Sequence, residues 1–245
     1  MRCKSIIVND NSKGGLCCSA SIDLVIGCSN KCISCYGLKV SMLSNDKMHT
    51  DNPIKKEYDD KFIKSIKKYK NKGIKYIRLG KFSDGAHADR GTLLKVIKTC
   101  TEEQIKLVFV TKSLIYDKEI AKALVDGEHI LHVSLGMIGD AQSDNDRIKM
   151  YNQYKKAKVN VKLRIVSDIT KQIPVKYSKF KSDDVILTPL RFNKLDDLLV
   201  YQADINSYSF IKGYYRPKFH DSSWLIFENI CGEINNTLFC CKCMV

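Results

Sequence analysis

Residues 22–36 read Ile-Asp-Leu-Val-Ile-Gly-Cys-Ser-Asn-Lys-Cys-Ile-Ser-Cys-Tyr, a largely apolar run that gives way to a loop with three cysteines. Cys28, Cys32 and Cys35 follow a CxxxCxxC spacing, and closely spaced cysteines of this kind hold [4Fe–4S] clusters. Three thiolates for four irons leave one iron open to a further ligand. A structural zinc ion normally takes a fourth Cys or His, and none follows before His49. The stretch therefore predicts an iron–sulfur site where a strand ends.

The chain beyond this loop alternates between apolar runs and helical periodicity. The pattern predicts strands over 21–27, 74–79, 106–110, 129–135, 159–166 and 184–190. It predicts helices from near Tyr58 to Gly73 and over 92–100, 118–125, 144–158 and 194–202, but only a short helix or a loop in 168–183. Strands and helices that alternate in this way form buried parallel sheets with right-handed helical crossovers. We therefore expect an α/β fold with six parallel strands.

Length and composition favour one folded body with short extensions. The chain has 245 residues and 44% hydrophobic side chains, which suffice for a sizeable core in a single domain. We expect the α/β body to cover 21–203, with an N-terminal extension over 1–20. Residues 204–245 are rich in aromatic side chains and cysteines, and we interpret them as a C-terminal extension.

The cysteines and the N-terminus bear on the compartment. Eleven cysteines would suggest disulfides in a small secreted protein. The first residues, Met1-Arg2-Cys3-Lys4-Ser5, lack the apolar segment of a signal peptide, so we expect a reducing cytoplasm. No run of about eighteen apolar residues occurs, and the sequence therefore predicts no membrane-spanning helix.

The chain is strongly basic, with a formal net charge of +14. Lysine and arginine neutralise phosphates and release counterions, so the charge indicates DNA or RNA as a partner. Two alternatives account for the charge without a nucleic-acid partner. Much of the excess is lysine on predicted helix faces, which are usually solvated, and an AT-rich genome would produce the same enrichment in Lys, Ile and Asn.

Three further strand ends carry polar residues in a recognisable order. Residues 77–85 read Ile-Arg-Leu-Gly-Lys-Phe-Ser-Asp-Gly, 109–112 read Phe-Val-Thr-Lys, and 132–134 read His-Val-Ser. With the CxxxCxxC loop and the aromatic Tyr36 beside its last cysteine, these segments resemble the radical S-adenosylmethionine (SAM) superfamily. The chain is most similar to the spore-photoproduct-lyase-like branch, over residues 21–170.

The resemblance implies a fold, two cofactors and a reaction. The fold is a partial (β/α)6 barrel, an open relative of the TIM barrel, with its chemistry at the carboxyl ends of the strands. Cys28, Cys32 and Cys35 would hold the [4Fe–4S] cluster, and the open iron would chelate SAM. An electron from a reducing donor would cleave SAM to a 5′-deoxyadenosyl radical, which would abstract hydrogen from a substrate.

The resemblance also assigns contacts to SAM. Tyr36 would pack by the adenine, and Ser83 and Asp84 would accept hydrogen bonds from the SAM amino group. Lys112 would neutralise the SAM carboxylate as a point charge, and Ser134 would hydrogen-bond to that carboxylate or to the ribose. The alternatives are an ordinary core aromatic at Tyr36, a polar turn at Ser83-Asp84, and ligand-free strand ends at the other two positions.

The chain departs from many superfamily members at one motif, and from the lyase that gives the branch its name at another position. Many superfamily members have Gly-Gly-Glu where this chain has Ser83-Asp84. The lyase has a hydrogen-donating cysteine close before Ser-Asp, whereas this chain has Lys81 and Phe82 there. We therefore do not expect thymine-dimer repair.

A last group of cysteines comprises Cys231, Cys240, Cys241 and Cys243. Four sulfurs in one loop could hold a structural zinc ion or an auxiliary iron–sulfur cluster, with Cys17 or Cys18 as alternative donors. Inert thiols or a redox-active tail are the alternatives to a metal site. The five histidines have no metal-like spacing, and His87 either faces the substrate or is a solvated loop residue.

Three functional hypotheses follow. The first is a radical SAM enzyme that abstracts hydrogen from an unidentified substrate, for which nucleic acid or a nucleotide is the leading candidate, and the second is a radical SAM enzyme that modifies a peptide. The third is a zinc-binding module without enzymatic activity, which contacts nucleic acid and whose cysteines are structural. This third hypothesis explains the charge, but it leaves the βα repeat and the strand ends at Lys112 and Ser134 without a purpose.

Overall fold

The computed structural model describes residues 4–10, 20–32, 35, 45–136, 141–192, 194–211, 214–227, 232–234 and 237–239. The strands are β1 (Val8–Asp10), β2 (Ala20–Ile22), β3 (Val25–Ile26), β4 (Ile54–Lys55), β5 (Tyr76–Leu79), β6 (Lys106–Thr111), β7 (Ile130–Leu135), β8 (Asn160–Ser167), β9 (Val185–Pro189), β10 (Tyr208–Ile211), β11 (Tyr214–Pro217), β12 (Gly232–Ile234) and β13 (Thr237–Phe239). The helices are α1 (Asn45–Met48), α2 (Asp60–Asn71), α3 (Arg90–Glu102), α4 (Lys118–Asp126), α5 (Ala141–Lys156), α6 (Val175–Ser178) and α7 (Leu195–Val200).

A seven-stranded, mostly parallel sheet forms the centre of the fold. Its order is β1-β2-β5-β6-β7-β8-β9. Six of its strands pair in parallel and in chain order, namely β2, β5, β6, β7, β8 and β9, while β1 pairs antiparallel with β2 at the edge. The prediction of an α/β fold with six parallel strands is confirmed.

The first predicted strand, 21–27, is divided in the structure. The pairing of β2 within the central sheet ends at Ile22, and β3 instead pairs antiparallel with β4. Asp23 explains the break, because its buried carboxylate accepts hydrogen bonds from the backbone amides of 81–83. A carboxylate that gathers amides from a neighbouring loop leaves the chain free to turn away from the sheet.

One face of the sheet packs against the helices. Strand residues at alternate positions share a hydrophobic core with Phe62 and Ile66 of α2 and with Leu93 and Ile97 of α3. These core strand residues include Ile22, Leu79, Phe109, Val133, Leu163 and Leu187. Removing each such side chain from water contributes about 1.5–3 kcal/mol, and this face therefore stabilises the fold.

The other face of the sheet carries polar and basic side chains between apolar ones such as Val108 and Ile186, and we call it the polar face. Successive strand residues point to opposite faces, and residues in register on paired strands share a face. Ser21 is in register with Arg78, His132 with Lys162, and Ser134 with Arg164. The polar face therefore carries Ser21, Arg78, His132, Ser134, Lys162, Arg164 and Thr188.

The helix starts follow local capping rules. Asp59 begins α2, since its carboxylate accepts hydrogen bonds from the amides of Lys61 and Phe62 at 3.0 and 3.3 Å. Such caps satisfy amides that have no partner within the helix. In 168–183, where we predicted a short helix or a loop, the structure has the four-residue α6 and the start of the 3-10 turn Ser182–Asp184.

The aromatic segment after α7 joins the main core. Trp224 and Phe227 are buried with the strand and helix residues of that core, and the indole of Trp224 donates to the carbonyl of Lys171 at 2.7 Å. Among the helices of the described ranges, none has the length and apolar character needed to cross a bilayer.

Gly136 and Gly73 have similar backbone angles but differ in the space available for a Cβ atom. Both have a left-handed φ, 77° and 76°, so alanine costs about 1–2 kcal/mol at either position. A Cβ at Gly136 would also collide with the carbonyl oxygen of Val166, whereas a Cβ at Gly73 meets nothing within 4 Å. We expect Gly136→Ala to lower the unfolding free energy by about 1–3 kcal/mol more than Gly73→Ala in denaturant titrations. Equal losses would contradict the collision at Gly136.

His129 is a buried histidine that stays neutral. The amide of Leu107 donates to its Nδ1 at 3.0 Å, so Nε2 carries the hydrogen and faces Thr101 Oγ1 at 3.0 Å and the Ile97 carbonyl at 3.3 Å. Burial lowers the pKa of His129 to about 4. Protonation therefore favours the unfolded chain.

This histidine predicts a pH-dependent stability. The unfolded chain takes up the proton near pH 6.5 and the native protein only near pH 4. The unfolding free energy should therefore fall as the pH drops through this window, by about 3 kcal/mol at most. Urea titrations should show a flatter pH dependence for His129→Gln, and parallel curves for the two proteins would refute the assignment.

Candidate functional site

The polar strand ends meet at one edge of the sheet. Parallel strands place their carboxyl ends together, so the segments that follow β2, β5 and β6 lie at the same edge as the end of β7. These segments carry Cys28, Ser83, Asp84 and Lys112, while Ser134 lies near the end of β7 itself. The structure thus gathers the described part of the predicted site at a single edge.

The cysteine loop is fixed at its entrance. The amide of Cys28 donates to the carbonyl of Met48 at 2.8 Å, and the amide of Thr50 donates to the carbonyl of Cys28 at 3.2 Å. Further along, the amide of Cys35 donates to the carbonyl of Cys32 at 3.1 Å. Backbone bonds therefore hold the first cysteine and connect the other two.

The three cysteines of this loop form no disulfide within the described residues and are partly buried. Burial raises the pKa of the Cys28 thiol to about 12, and the negative charge of Asp84 adds to the effect. Burial also raises the pKa of Cys32, against the opposing charge of Lys112. Metals bind thiolates and lower thiol pKa values, so iron bound here would supply the positive charge that the buried sulfurs require.

The donor set suits a cluster. Within the part of the chain that the structure describes, no three His, Cys, Asp or Glu side chains converge on one metal ion. A cubane cluster makes a different demand, because each of its thiolates binds a different iron. Three cysteines in one loop can supply those thiolates.

Asp84 is a structural hub of the site. Its carboxylate is buried and accepts hydrogen bonds from Asn30 Nδ2, Thr111 Oγ1 and the amides of Ala86, Lys112 and Ser113, at 2.6–3.1 Å. These bonds connect the cysteine loop to the ends of β5 and β6. The carboxylate is thus engaged within the protein, and its contact with the SAM ammonium stays a prediction.

Ser83 is held by a second buried carboxylate. The Ser83 hydroxyl donates to Asp23 Oδ1 at 3.0 Å, which leaves the lone pairs of its oxygen to accept a hydrogen bond. The same Asp23 oxygen also accepts the amides of Lys81, Phe82 and Ser83. Sequence analysis missed Asp23, although an acidic residue inside the apolar run Ile22 to Ile26 was a signal.

Lys112 lies between the cysteine loop and the end of β7. Its ammonium donates to the carbonyl of Gly136 at 2.6 Å. Burial lowers the pKa of Lys112, and the negative charge of a Cys32 thiolate opposes that shift. The carbonyl of Lys112 accepts from Arg147 Nε at 3.0 Å. The ammonium is therefore held at the carbonyl that follows β7, and its positive charge acts on Cys32.

Asp144 supports this arrangement from α5, and sequence analysis missed it. Its carboxylate accepts from the Gly136 amide, Arg147, Lys176 and the Tyr177 hydroxyl at 2.7–3.2 Å. Burial alone would raise the pKa of Asp144, but the hydrogen bonds from Gly136, Lys176 and Tyr177 outweigh it and lower that pKa. The Asp-x-x-Arg spacing, which places both side chains on one helix face, was the available signal.

Ser134 faces the polar side of the sheet. It is buried and in register with Arg164, whose guanidinium donates to Thr188 Oγ1 at 2.9 Å. Ser134 therefore opens onto a row of polar and basic residues. The alternation of His132 and Ser134 with apolar neighbours was the sequence signal for this face.

His87 lies against the cysteine loop. Its Nε2 is 3.7 Å from the sulfur of Cys28 and 3.2 Å from Ser29 Oγ. Sequence analysis placed this residue either at the substrate or in solvent. Its position beside a predicted cluster ligand was not foreseen.

Five predicted site residues lie outside the described residues. They are Tyr36, Cys231, Cys240, Cys241 and Cys243. Comparisons with protein families, with curated proteins and with solved structures find no match. The functional interpretation therefore rests on the sequence and on the geometry of the strand-end site.

Proposed function

We propose that this protein is a radical SAM enzyme that uses a [4Fe–4S] cluster and SAM to abstract hydrogen from a substrate. One observation carries the proposal. The CxxxCxxC loop lies at the carboxyl edge of six parallel strands. There its Asn30 and the amide of Lys112 donate to the same Asp84 carboxylate, and Asp23 holds the hydroxyl of the adjacent Ser83. Thiolates for a cluster are thus combined with an acceptor and a cation suited to the amino-acid end of SAM.

The strand order supports a partial (β/α)6 barrel. Doubly wound sheets reverse their strand order at a switch point, whereas this sheet runs from β2 to β9 without reversal. Right-handed crossovers then place the helices on one face and leave the polar face to the interior. Such a fold would enclose the polar residues beneath the cysteine loop.

In this proposal each group of residues has a physical task. Cys28, Cys32 and Cys35 hold the cluster through their thiolates. The cluster and SAM, when bound, supply an electron and a 5′-deoxyadenosyl radical. Ser83 accepts a hydrogen bond from the SAM ammonium, and Lys112 binds the carboxylate. Asp84 and Asp144 fix the loops that carry these groups, so that little rearrangement is needed when SAM binds.

The polar face bears on the substrate. It carries the basic side chains of Arg78 on β5 and of Lys162 and Arg164 on β8, and the whole chain has a net charge of +14. Both features support nucleic acid or a nucleotide as substrate over a peptide. A zinc-binding module remains the non-enzymatic alternative.

Anaerobic reconstitution tests the proposal. With iron, sulfide, SAM and a low-potential reductant, we expect about four irons bound at the CxxxCxxC loop and the formation of 5′-deoxyadenosine. A parallel sample supplied with zinc tests the alternative that the protein is a zinc-binding module without enzymatic activity. Zinc uptake with neither iron uptake nor 5′-deoxyadenosine would overturn the proposal in favour of that module.

A further inference from the structure

His87 is held rigidly at the end of β5. It ends the 3-10 turn Gly85–His87, in which the Ala86 amide donates to Asp84 Oδ1 at 3.0 Å and the His87 amide donates to the Asp84 carbonyl at 3.1 Å. Gly85 is buried, and a side chain there would press on Leu79 and Phe109 at 3.1 Å. The core and the Asp84 cap therefore fix the turn that presents the imidazole.

The same carboxylate fixes the cysteine loop from the other side. Asn30 donates to Asp84 Oδ2 at 3.0 Å and accepts from the Ser113 hydroxyl at 2.8 Å. Two residues earlier, the amide of Cys28 donates a hydrogen bond to the carbonyl of Met48. Hydrogen bonds thus hold both the turn that carries His87 and the backbone of Cys28, and together they fix the distance between the imidazole and the sulfur.

The contact has the geometry of a weak hydrogen bond to sulfur. Nε2 lies 3.7 Å from the Cys28 sulfur, and Ser29 Oγ lies 3.2 Å from the same nitrogen. A hydrogen on Nε2 would be shared between the two. Sulfur accepts over longer distances than oxygen because it is larger, and a thiolate accepts more strongly than a thiol.

We infer that His87 is a positioning and tuning residue whose Nε2 hydrogen bonds to the Cys28 thiolate and raises the reduction potential of the cluster. The inference rests on the proposed function. An external one-electron donor reduces the cluster, and the proton stays on Nε2 throughout. The added electron increases the negative charge on the sulfurs, so the donor stabilises the reduced state more than the oxidised state. Hydrogen bonds to cluster sulfurs are an established determinant of potential.

Two amide variants test the hydrogen bond. Gln places its amide nitrogen near the position of Nε2, while Asn places its amide nitrogen near Nδ1, out of reach of the sulfur. For His87→Asn we expect the equilibrium constant for cluster reduction to fall about tenfold, which is about 59 mV for one electron. For His87→Gln we expect a potential close to that of the parent protein. His220→Gln, a change in the loop after β11, is the control.

The readout is a potentiometric titration of the reconstituted cluster, followed by electron paramagnetic resonance (EPR), with iron content measured in every variant. If the parent protein takes up no cluster, the proposed function fails. If all proteins bind equal iron and His87→Asn retains the parent potential, the proposed function stands and the tuning role of His87 is refuted. If His87→Asn and His87→Gln change the reduction potential of the cluster by the same amount, the hydrogen bond from Nε2 is refuted.

Discussion

Serine at any one of Cys28, Cys32 or Cys35 is expected to abolish cluster binding and the formation of 5′-deoxyadenosine. Each thiolate binds a different iron of the cubane, and a hydroxyl in place of a thiol is a poor ligand for iron in such clusters. The loop has no spare sulfur, since the three cysteines of 28–35 are all used. The measurement is iron content after anaerobic reconstitution, together with chromatographic detection of 5′-deoxyadenosine.

Cys100 provides the matched control for these variants. It is a free thiol that is buried in the core between helix and sheet, far in sequence from the loop. Cys100→Ala should leave the iron content and product formation unchanged and alter only stability. A serine variant of the loop that retains the full iron content would refute the assignment of that cysteine. Iron lost from Cys100→Ala would show that the loop variants report misfolding.

Asp84→Asn is expected to lower the unfolding free energy by about 3 kcal/mol. The buried carboxylate accepts five hydrogen bonds, two on Oδ1 and three on Oδ2. An amide offers one oxygen, and its NH2 group would face N–H donors on the other side. At least one buried amide hydrogen would then have no acceptor, and the bonds that remain would lose the strength given by the negative charge.

Denaturant titration of Asp84→Asn is best compared with Asp89→Asn. Asp89 is an exposed cap of α3 whose carboxylate accepts a hydrogen bond from the Thr92 amide at 2.8 Å, and asparagine caps helices as well as aspartate does. The control should change stability by less than about 0.5 kcal/mol. If Asp84→Asn keeps full stability and instead weakens SAM binding alone, Asp84 is a ligand contact and its structural role is refuted.

Local patterns in the sequence were enough to predict the framework of the sheet. The runs that became β5 to β9 are apolar and bounded by turn residues, so their existence and order follow from periodicity. The division of the first strand could not be predicted in the same way. It depends on Asp23, whose partners at 81–83 lie nearly sixty residues away.

The candidate site was predictable only in part, for the same reason. CxxxCxxC is a local signal, and Ser83, Lys112 and Ser134 sit at strand ends that the alternation of elements locates. The carboxylates that orient these groups accept hydrogen bonds from residues distant in the sequence. Asp84 accepts from Thr111, and Asp144 accepts from Lys176. Their partners become neighbours only when parallel strands pair. His87 is such a case, because its contact with Cys28 spans 59 residues.

The central claim is that the CxxxCxxC loop holds a cluster with an open iron that binds SAM. The most direct test is the EPR spectrum of the reconstituted, one-electron-reduced protein, recorded with and without SAM. We expect the spectrum of a reduced [4Fe–4S] cluster whose g-values change when SAM is added, because SAM alters the ligands of the open iron. A spectrum that saturating SAM leaves unchanged, or the lack of any cluster signal, would contradict the claim.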